Sequence, residues 1–388
     1  MSITLDGTNG ITTPDVDSSG PITGTVGTFS SSVRANAFLD ASGGNSATIN
    51  GIVPTNGAVY YSQDDEPSSP PNGAIWYQPS YNATYIRSNS AWLSLDGSFG
   101  NASDRGVFGG GDAGTYSAVM DYITVATTGN ATNFGSLTVA RRSLAGVSNA
   151  ARGVFGGGVT GANSLVMDYI TVATAGSATN FGNLTVARFA LAGVSNATRG
   201  VFGGGVASAV SAVMDYITVA TLGNATNFGN LTVARYGLAG VSNATRGVFG
   251  GGLISAVSAV MDYITVATAG NATSFGNLTV ARSDLAGVSN ATRGVFGGGV
   301  ISAVSLVMDY ITVATAGNAT NFGNLTVARG YLAGVSNATR GVFGGGYTSA
   351  NSLVMDYITV ATAGNATNFG NLTVARNYLS GVSGTIPT

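Results

Sequence analysis

The side chains with chemistry to offer in this chain come as sixfold copies. Asp121, Asp168, Asp215, Asp262, Asp309 and Asp356 each sit in a Met-Asp-Tyr run, and every unit adds two Arg, which are Arg105 and Arg141 in the first. Six such groups could be six binding sites. The Phe-Gly-Gly-Gly runs could cradle phosphate, Asn-Ala-Thr recurs as a glycosylation acceptor, and Asp64-Asp65-Glu66 could hold Ca²⁺ or supply a catalytic acid pair. What is missing narrows these options. The 388 residues contain no His and no Cys, all 15 basic residues are Arg, and Glu66 is the one Glu among 17 acids. Without His there is no neutral-pH proton shuttle or imidazole ligand. Without Cys or Lys there is no thiolate, zinc-thiolate or Schiff-base chemistry. A carboxylate-pair glycosidase is the main enzyme class that remains. The expectation is a chain that is not an enzyme and carries no cofactor or metal.

Each motif also has a structural reading. The Gly runs lack a Lys and a following helix, so turn or bulge geometry accounts for them. Asn-Ala-Thr at such density, with no signal peptide ahead of it, reads as turn chemistry. Carboxylates adjacent in sequence rarely face one pocket, so 64–66 reads as a solvated acidic loop. A partly buried carboxylate needs a charged or N–H partner. The repeated Asp and the two Arg therefore read as a polar network that pins unit to unit.

The elements that position these residues follow from a repeat. Arg-Gly-Val-Phe-Gly-Gly-Gly starts at Arg105, Arg152, Arg199, Arg246, Arg293 and Arg340, at steps of 47 residues. Val-Met-Asp-Tyr-Ile-Thr-Val-Ala-Thr is β-branched, aromatic and alternating, hence a strand. Gly-Val-Phe-Gly, Asn-Leu-Thr-Val-Ala and Leu-Ala-Gly-Val-Ser read as shorter strands between Gly and Asn turns. No segment has a helical apolar period. Four strands in each of six units is the arithmetic of an all-β, six-bladed β-propeller over 105–388. With Leu-Ala-Gly-Val-Ser innermost, five blades run continuously from Leu144 to Arg376. The first unit lacks that strand, while a spare copy, Leu379-Ser-Gly-Val-Ser383, ends the chain. The C-terminal strand is therefore expected to complete the first blade and leave no open edge; Leu95-Asp-Gly-Ser-Phe99 is the rival donor.

The units resemble the kelch family. A strand ends in a Gly run (Phe108-Gly109-Gly110-Gly111), a strand carries Asp121-Tyr122, and Arg141 precedes the next innermost strand. The resemblance covers roughly 105–388 and implies a kelch-like propeller. It departs where the family has a Trp after the Asp-Tyr strand: Phe134 stands there, at a longer spacing.

The six copies differ from one another in two windows. One follows the Gly run (112–116, 159–163, 206–210, 253–257, 300–304 and 347–351), and the other follows the last Arg (142–143, 189–190, 236–237, 283–284, 330–331 and 377–378). With strands a to d, the b–c and d–a loops share one face, so both windows fall on the same side. Variable loops on a fixed scaffold are what recognition surfaces look like. The face is expected to present Tyr116, Arg142, Phe189, Tyr236, Asp284, Tyr331, Tyr347 and Tyr378 as binding candidates. Aromatic side chains with few charges suit sugar rings or a protein better than an anion. Neutral drift after duplication is the alternative.

Nine acids against two Arg make 1–104 net −7, while thirteen Arg against eight Asp make 105–388 net +5. That positive charge is too dilute for a nucleic-acid surface. Neither a secretory signal nor a membrane span is expected. Residues 1–50 read as an extended arm for attachment or oligomerisation, and 51–104 as a small β-meander module. Gly73-Ala-Ile-Trp76-Tyr77, Ala83-Thr84-Tyr85-Ile86-Arg87 and Ser90-Ala91-Trp92-Leu93 resemble a module of bacteriophage tail-fibre and other virion proteins. The opening Ile3-Thr-Leu-Asp-Gly-Thr-Asn-Gly-Ile11-Thr resembles phage fibre openings, and the Phe-Gly-Gly-Gly and Asp-Tyr-Ile-Thr-Val-Ala-Thr runs resemble repeats of cyanobacterial phages. The resemblance implies a virion protein, either tail or surface appendage, that contacts other virion proteins through its N-terminal region. It implies a homo-oligomer, such as a trimer, and a host-surface glycan or receptor on the variable face. An architectural decoration protein and a polysaccharide-degrading tail enzyme are the alternatives.

Overall fold

The computed structural model describes residues 60–62, 67, 74–78, 83–88, 91–94 and 104–384, and the chain divides into two units, Met1–Gly97 and Ser98–Thr388. No helix occurs among the described residues. The arm over 1–50, the acidic run 64–66 and the rival donor strand 95–99 lie outside them.

In the second unit one strand explains the architecture. Along Val213–Thr218 and into Val219, Asp215, Ile217 and Val219 point one way and Met214 and Tyr216 the other. Both directions are interior. Ile217 and Val219 pack with Val154, Met167 and Phe181 of the preceding blade, whereas Met214 packs with Phe249, Ile264 and Val266 of the following one. A strand covered on both faces tolerates few polar residues, so Val-Met-Asp-Tyr-Ile-Thr reads as nearly continuous apolar sequence with one Asp.

Blade by blade the order is constant. Strands β8 (Ala145–Ser148), β9 (Arg152–Gly156), β10 (Val166–Thr171) and β11 (Thr179–Asn183) form an antiparallel sheet in which each strand pairs with the next. Strands β12–β27, over 192–371, repeat it four times. The sixth sheet joins the two ends of the propeller: β28 (Ser380–Ser383) pairs with β5 (Arg105–Gly109), followed by β6 (Val119–Thr124) and β7 (Thr132–Ser136). This is a six-bladed β-propeller closed by its C-terminal strand. Its core lies between blades, where each Phe of the Gly-Val-Phe-Gly strand is fully buried. A Cβ on Gly156 would come within 2.9 Å of the Phe202 ring of the next blade, which is why a Gly ends that strand.

One expected strand is absent. Asn-Leu-Thr-Val-Ala does not extend the ladder; the outer strand is Thr-Asn-Phe-Gly-Asn instead, and 184–187 is a crossover. Its side chains are committed elsewhere. Leu184 is buried in the core between blades, and the Thr185 hydroxyl donates to Asp215 of the next blade.

In the first unit β1 (Tyr60–Ser62), β2 (Ile75–Gln78), β3 (Ala83–Ser88) and β4 (Ala91–Ser94) form one sheet. The last three make the antiparallel meander, while β1 joins β2 in parallel. Ala74, Ile75 and Trp76 are buried, and Trp76 stacks on Tyr85 with ring centroids 5.0 Å apart.

Candidate functional site

The repeated carboxylates are occupied. Arg188 Nη2 lies 2.6 Å from Asp215 Oδ2, and both side chains are fully buried. The same pair recurs as Arg141–Asp168, Arg235–Asp262, Arg282–Asp309, Arg329–Asp356 and Arg376–Asp121, so the ring of ion pairs runs through the join between the ends. In each pair the Arg comes from the blade preceding that of the Asp. A Thr hydroxyl of the same crossover donates to the other carboxylate oxygen, as Thr185 does to Asp215. Arg188 also donates to the carbonyls of Gly204 at 2.9 Å and Phe202 at 3.3 Å. Burial pulls its guanidinium below the ordinary value, and Asp215 pushes back. With no exposed atoms, these pairs hold blades together and offer nothing to a ligand.

Arg105 does not belong to that network. Its guanidinium lies 4.5 Å over the Tyr122 ring of its own blade and donates to the Ala173 carbonyl of the next at 2.6 Å. Arg152, Arg246, Arg293 and Arg340 repeat the arrangement. The two Arg of a unit thus stitch blades at opposite ends of the sheets. The Asn-Ala-Thr before the Arg is a turn, in which Asn196 Oδ1 accepts the N–H groups of Thr198 at 3.0 Å and Arg199 at 2.8 Å. The other copy leads into the outer strand at Thr226, and its Asn224 Oδ1 accepts the Asn183 N–H of the preceding blade at 3.0 Å.

The variable windows meet. Arg142 bridges Val159, Phe189 bridges Val206, Tyr236 bridges Leu253, Ser283 bridges Val300, Gly330 bridges Tyr347 and Asn377 bridges Asp112. Both windows therefore share one face, around the mouth of the central channel. The second residue of each d–a window turns inward with a left-handed backbone: φ is 58° at Ser143, 54° at Ala190, 63° at Gly237, 54° at Asp284, 59° at Tyr331 and 52° at Tyr378. Five of these six are not Gly, and residues other than Gly seldom adopt that conformation. Tertiary closure accounts for it. Each N–H donates to the carbonyl of its counterpart on the preceding blade, in a closed ring of six bonds between 2.6 and 2.9 Å.

This ring frames a cavity of about 130 Å³. Its side chains break the sixfold symmetry. Ser143, Ala190 and Gly237 leave one side open, while Asp284, Tyr331 and Tyr378 wall the other. The Tyr331 and Tyr378 rings lie 4.2 Å apart and tilted by 37°. Burial, then the nearby Asp284 charge, pushes the Tyr331 hydroxyl up; burial, then Tyr331, does the same to Tyr378. Asp284 accepts from the Ser283 hydroxyl at 2.8 Å, and burial pushes its carboxyl up to about 6. A Cβ on Gly237 would come within 2.7 Å of Asp284 Oδ1, so the absence of a side chain at 237 leaves room for this carboxylate. Arg142 is held by Asp112 at 2.5 Å, with its guanidinium 5.4 Å from the Tyr116 ring centre and 5.5 Å from that of Tyr378.

Of the eight expected binding-face residues, Asp284, Tyr331 and Tyr378 line the cavity. Arg142 stands against both Tyr378 and Tyr116, and Tyr236 is near enough to Tyr331 to affect its hydroxyl. Phe189 and Tyr347 share the face without lining the cavity. The sequence did not single out Ser283 or the inward-turning ring. The available signal was that the second window always ends immediately before the Leu of the innermost strand.

At the far end of the channel a second ring closes. Ser148 N–H donates to Ser195 Oγ at 3.3 Å, and the pattern continues through Ser242, Ser289 and Ser336 to Ser383, which donates back to Ser148 at 3.2 Å. A cavity of about 80 Å³ lies within it. No protein-family model matches this chain, and no curated protein matches it at a significant level.

Proposed function

We propose that this chain is a non-enzymatic bacteriophage virion protein, a tail fibre or adhesin, whose kelch-like propeller displays its variable face to a glycan or receptor on the host surface. The observation that carries the reading is the convergence of the variable windows. The blades are nearly identical, and their differences concentrate in two windows that meet on the face around one channel mouth, where they supply aromatic rings, one paired Arg and a single carboxylate without a cation. Drift confined to tolerant loops has no reason to build a walled cavity with a partly desolvated acid. The buried Arg–Asp ring supports the same division of labour, because it locks the scaffold and leaves the loops free to vary. In this reading the N-terminal region attaches the chain to other virion proteins and assembles copies, which multiplies a weak contact through avidity.

The test uses the full-length protein on host and non-host bacterial cells, with purified envelope polysaccharide as competitor. Selective, competable binding is expected, and it should be lost when Tyr236, Tyr331 and Tyr378 are together changed to Ala in a protein that still melts cooperatively. Binding that is equal on all cells, or unaffected by the triple substitution, would refute the reading and favour an architectural role.

A further inference from the structure

We propose that the channel mouth binds an alkylammonium group, carried as a substituent on an envelope glycan, seated between the Asp284 carboxylate and the Tyr331–Tyr378 wall. The proposal rests on the reading of the variable face as a recognition face and names the chemistry it recognises.

Every other described carboxylate of the propeller has a charged or N–H partner. Asp121, Asp168, Asp215, Asp262, Asp309 and Asp356 each face an Arg, and Asp112 faces Arg142. Asp104 accepts the Ala126 N–H at 3.0 Å and the Asn337 amide. Among the described residues of the propeller, Asp284 is the one carboxylate with neither a cation nor an N–H donor, and the Ser283 hydroxyl is its hydrogen-bond partner. It is also half-buried, so its charge is poorly solvated.

Its surroundings are those that suit a cation. Tyr331 and Tyr378 stand beside it and Tyr236 is close by, and an aromatic face attracts positive charge through its quadrupole. Arg142 is the cation on this side of the mouth, and Asp112 neutralises it at 2.5 Å. The mouth therefore carries one uncompensated negative charge when Asp284 is ionised. Geometry sets the size of the guest. Ser143, Ala190 and Gly237 have small side chains or none, so the way in lies opposite the aromatic wall. The cavity of about 130 Å³ suits a compact head group on a slender stem. A primary ammonium of an amino sugar and a quaternary ammonium of a choline substituent both meet these demands. A simple neutral hexose offers no charge to Asp284.

The experiment titrates the full-length protein with choline and with glucosamine, and with their neutral counterparts 3,3-dimethylbutanol and N-acetylglucosamine, following ligand signals by saturation-transfer NMR at pH 7.5. Choline or glucosamine is expected to bind at least tenfold more tightly than its neutral counterpart, and which of them does so identifies the source. Asp284→Asn should weaken the cation about tenfold and leave the neutral analogue unchanged. Tyr378→Leu should weaken it, whereas Tyr331→Phe, which keeps the ring, should not. Leu222→Ala, at an exposed loop position outside both variable windows, should have no effect. Equal binding of charged and neutral probes, no effect of Asp284→Asn, or no saturation by either cation at tens of millimolar overturns the proposal. The two readings fail separately. If Asp284→Asn binds host cells normally while the triple Tyr variant does not, the recognition face stands and the ammonium assignment falls. If choline or glucosamine binds through Asp284 but no cell is recognised, the assignment stands and the adhesin reading falls.

Discussion

At the scale of single residues, two carboxylates illustrate opposite uses of burial. Asp215 is fully buried and spends both oxygens, one on Arg188 and one on Thr185. Removing it would leave a buried guanidinium without a counter-charge, a loss worth about 3–5 kcal/mol. Asp215→Ala is therefore expected to lower the Tm by about 10 °C in calorimetry, given roughly 2–4 °C per kcal/mol for a domain of this size. An unchanged melt would refute the pinning role. Asp284 has the reverse balance. Its carboxyl stands at about 6 in the folded chain against an ordinary 3.8, so folding favours its protonated form. The stability this contributes is complete below pH about 4 and lost as pH rises through about 6. Asp284→Asn keeps a side chain that tolerates the left-handed backbone and removes the charge. It should melt above the wild type at pH 7.5, with the difference vanishing near pH 4; a gap that does not change with pH would show that the charge is not responsible.

At the scale of elements, the reading of the sequence succeeded where local pattern and repeat agreed. The Val-Met-Asp-Tyr-Ile-Thr strand, the 47-residue step and the spare Leu379-Ser-Gly-Val-Ser383 together specify the propeller and its closure. It failed where tertiary demands override local propensity. Leu184 and Thr185 look like part of a strand because they are apolar and β-branched, yet each is anchored to the next blade. The two Arg of a unit are alike in type, and their division between an Asp partner and a Tyr-plus-carbonyl partner follows from which end of the sheet each occupies. The inward turn at Ser143, Ala190, Asp284, Tyr331 and Tyr378 was illegible for a similar reason, since these residues share no preference for positive φ. Ring closure imposes the conformation. The closing strand carries a prediction of its own. Deleting 379–388 removes the ladder to β5 and opens both the Ser ring and one blade, exposing an unpaired strand edge of the kind that promotes association. The truncated chain should melt well below the intact one and elute as larger species in size-exclusion chromatography. A monomeric product with an unchanged Tm would mean that β28 is dispensable.

At the scale of the whole molecule, closure differs from every other ladder in the distance along the chain that it spans. Val382 pairs with Val107 across the join, and Val194 pairs with Val201 in the same register within a continuous blade. The local geometry is equivalent, but the first pair encloses nearly the whole propeller and the second a hairpin. The chain contains no Cys, so an introduced pair has no competing thiol. A disulfide acts largely by removing conformations from the unfolded chain, and its effect grows with the logarithm of the loop it closes. In that model, the V107C/V382C cross-link should stabilise the protein by about 3 kcal/mol more than V194C/V201C, each compared with its own reduced form. Referring each variant to its reduced state cancels the cost of replacing buried Val, which is nearly the same at the two sites. The measurement is the shift in Tm between oxidised and reduced forms. A clearly larger shift for the 107–382 pair would identify release of the C-terminal strand as the event that opens the ring. Equal shifts would mean that the ends stay together in the unfolded state, or that the blades unfold before the join is released, so that stability resides in the interfaces between blades rather than in closure.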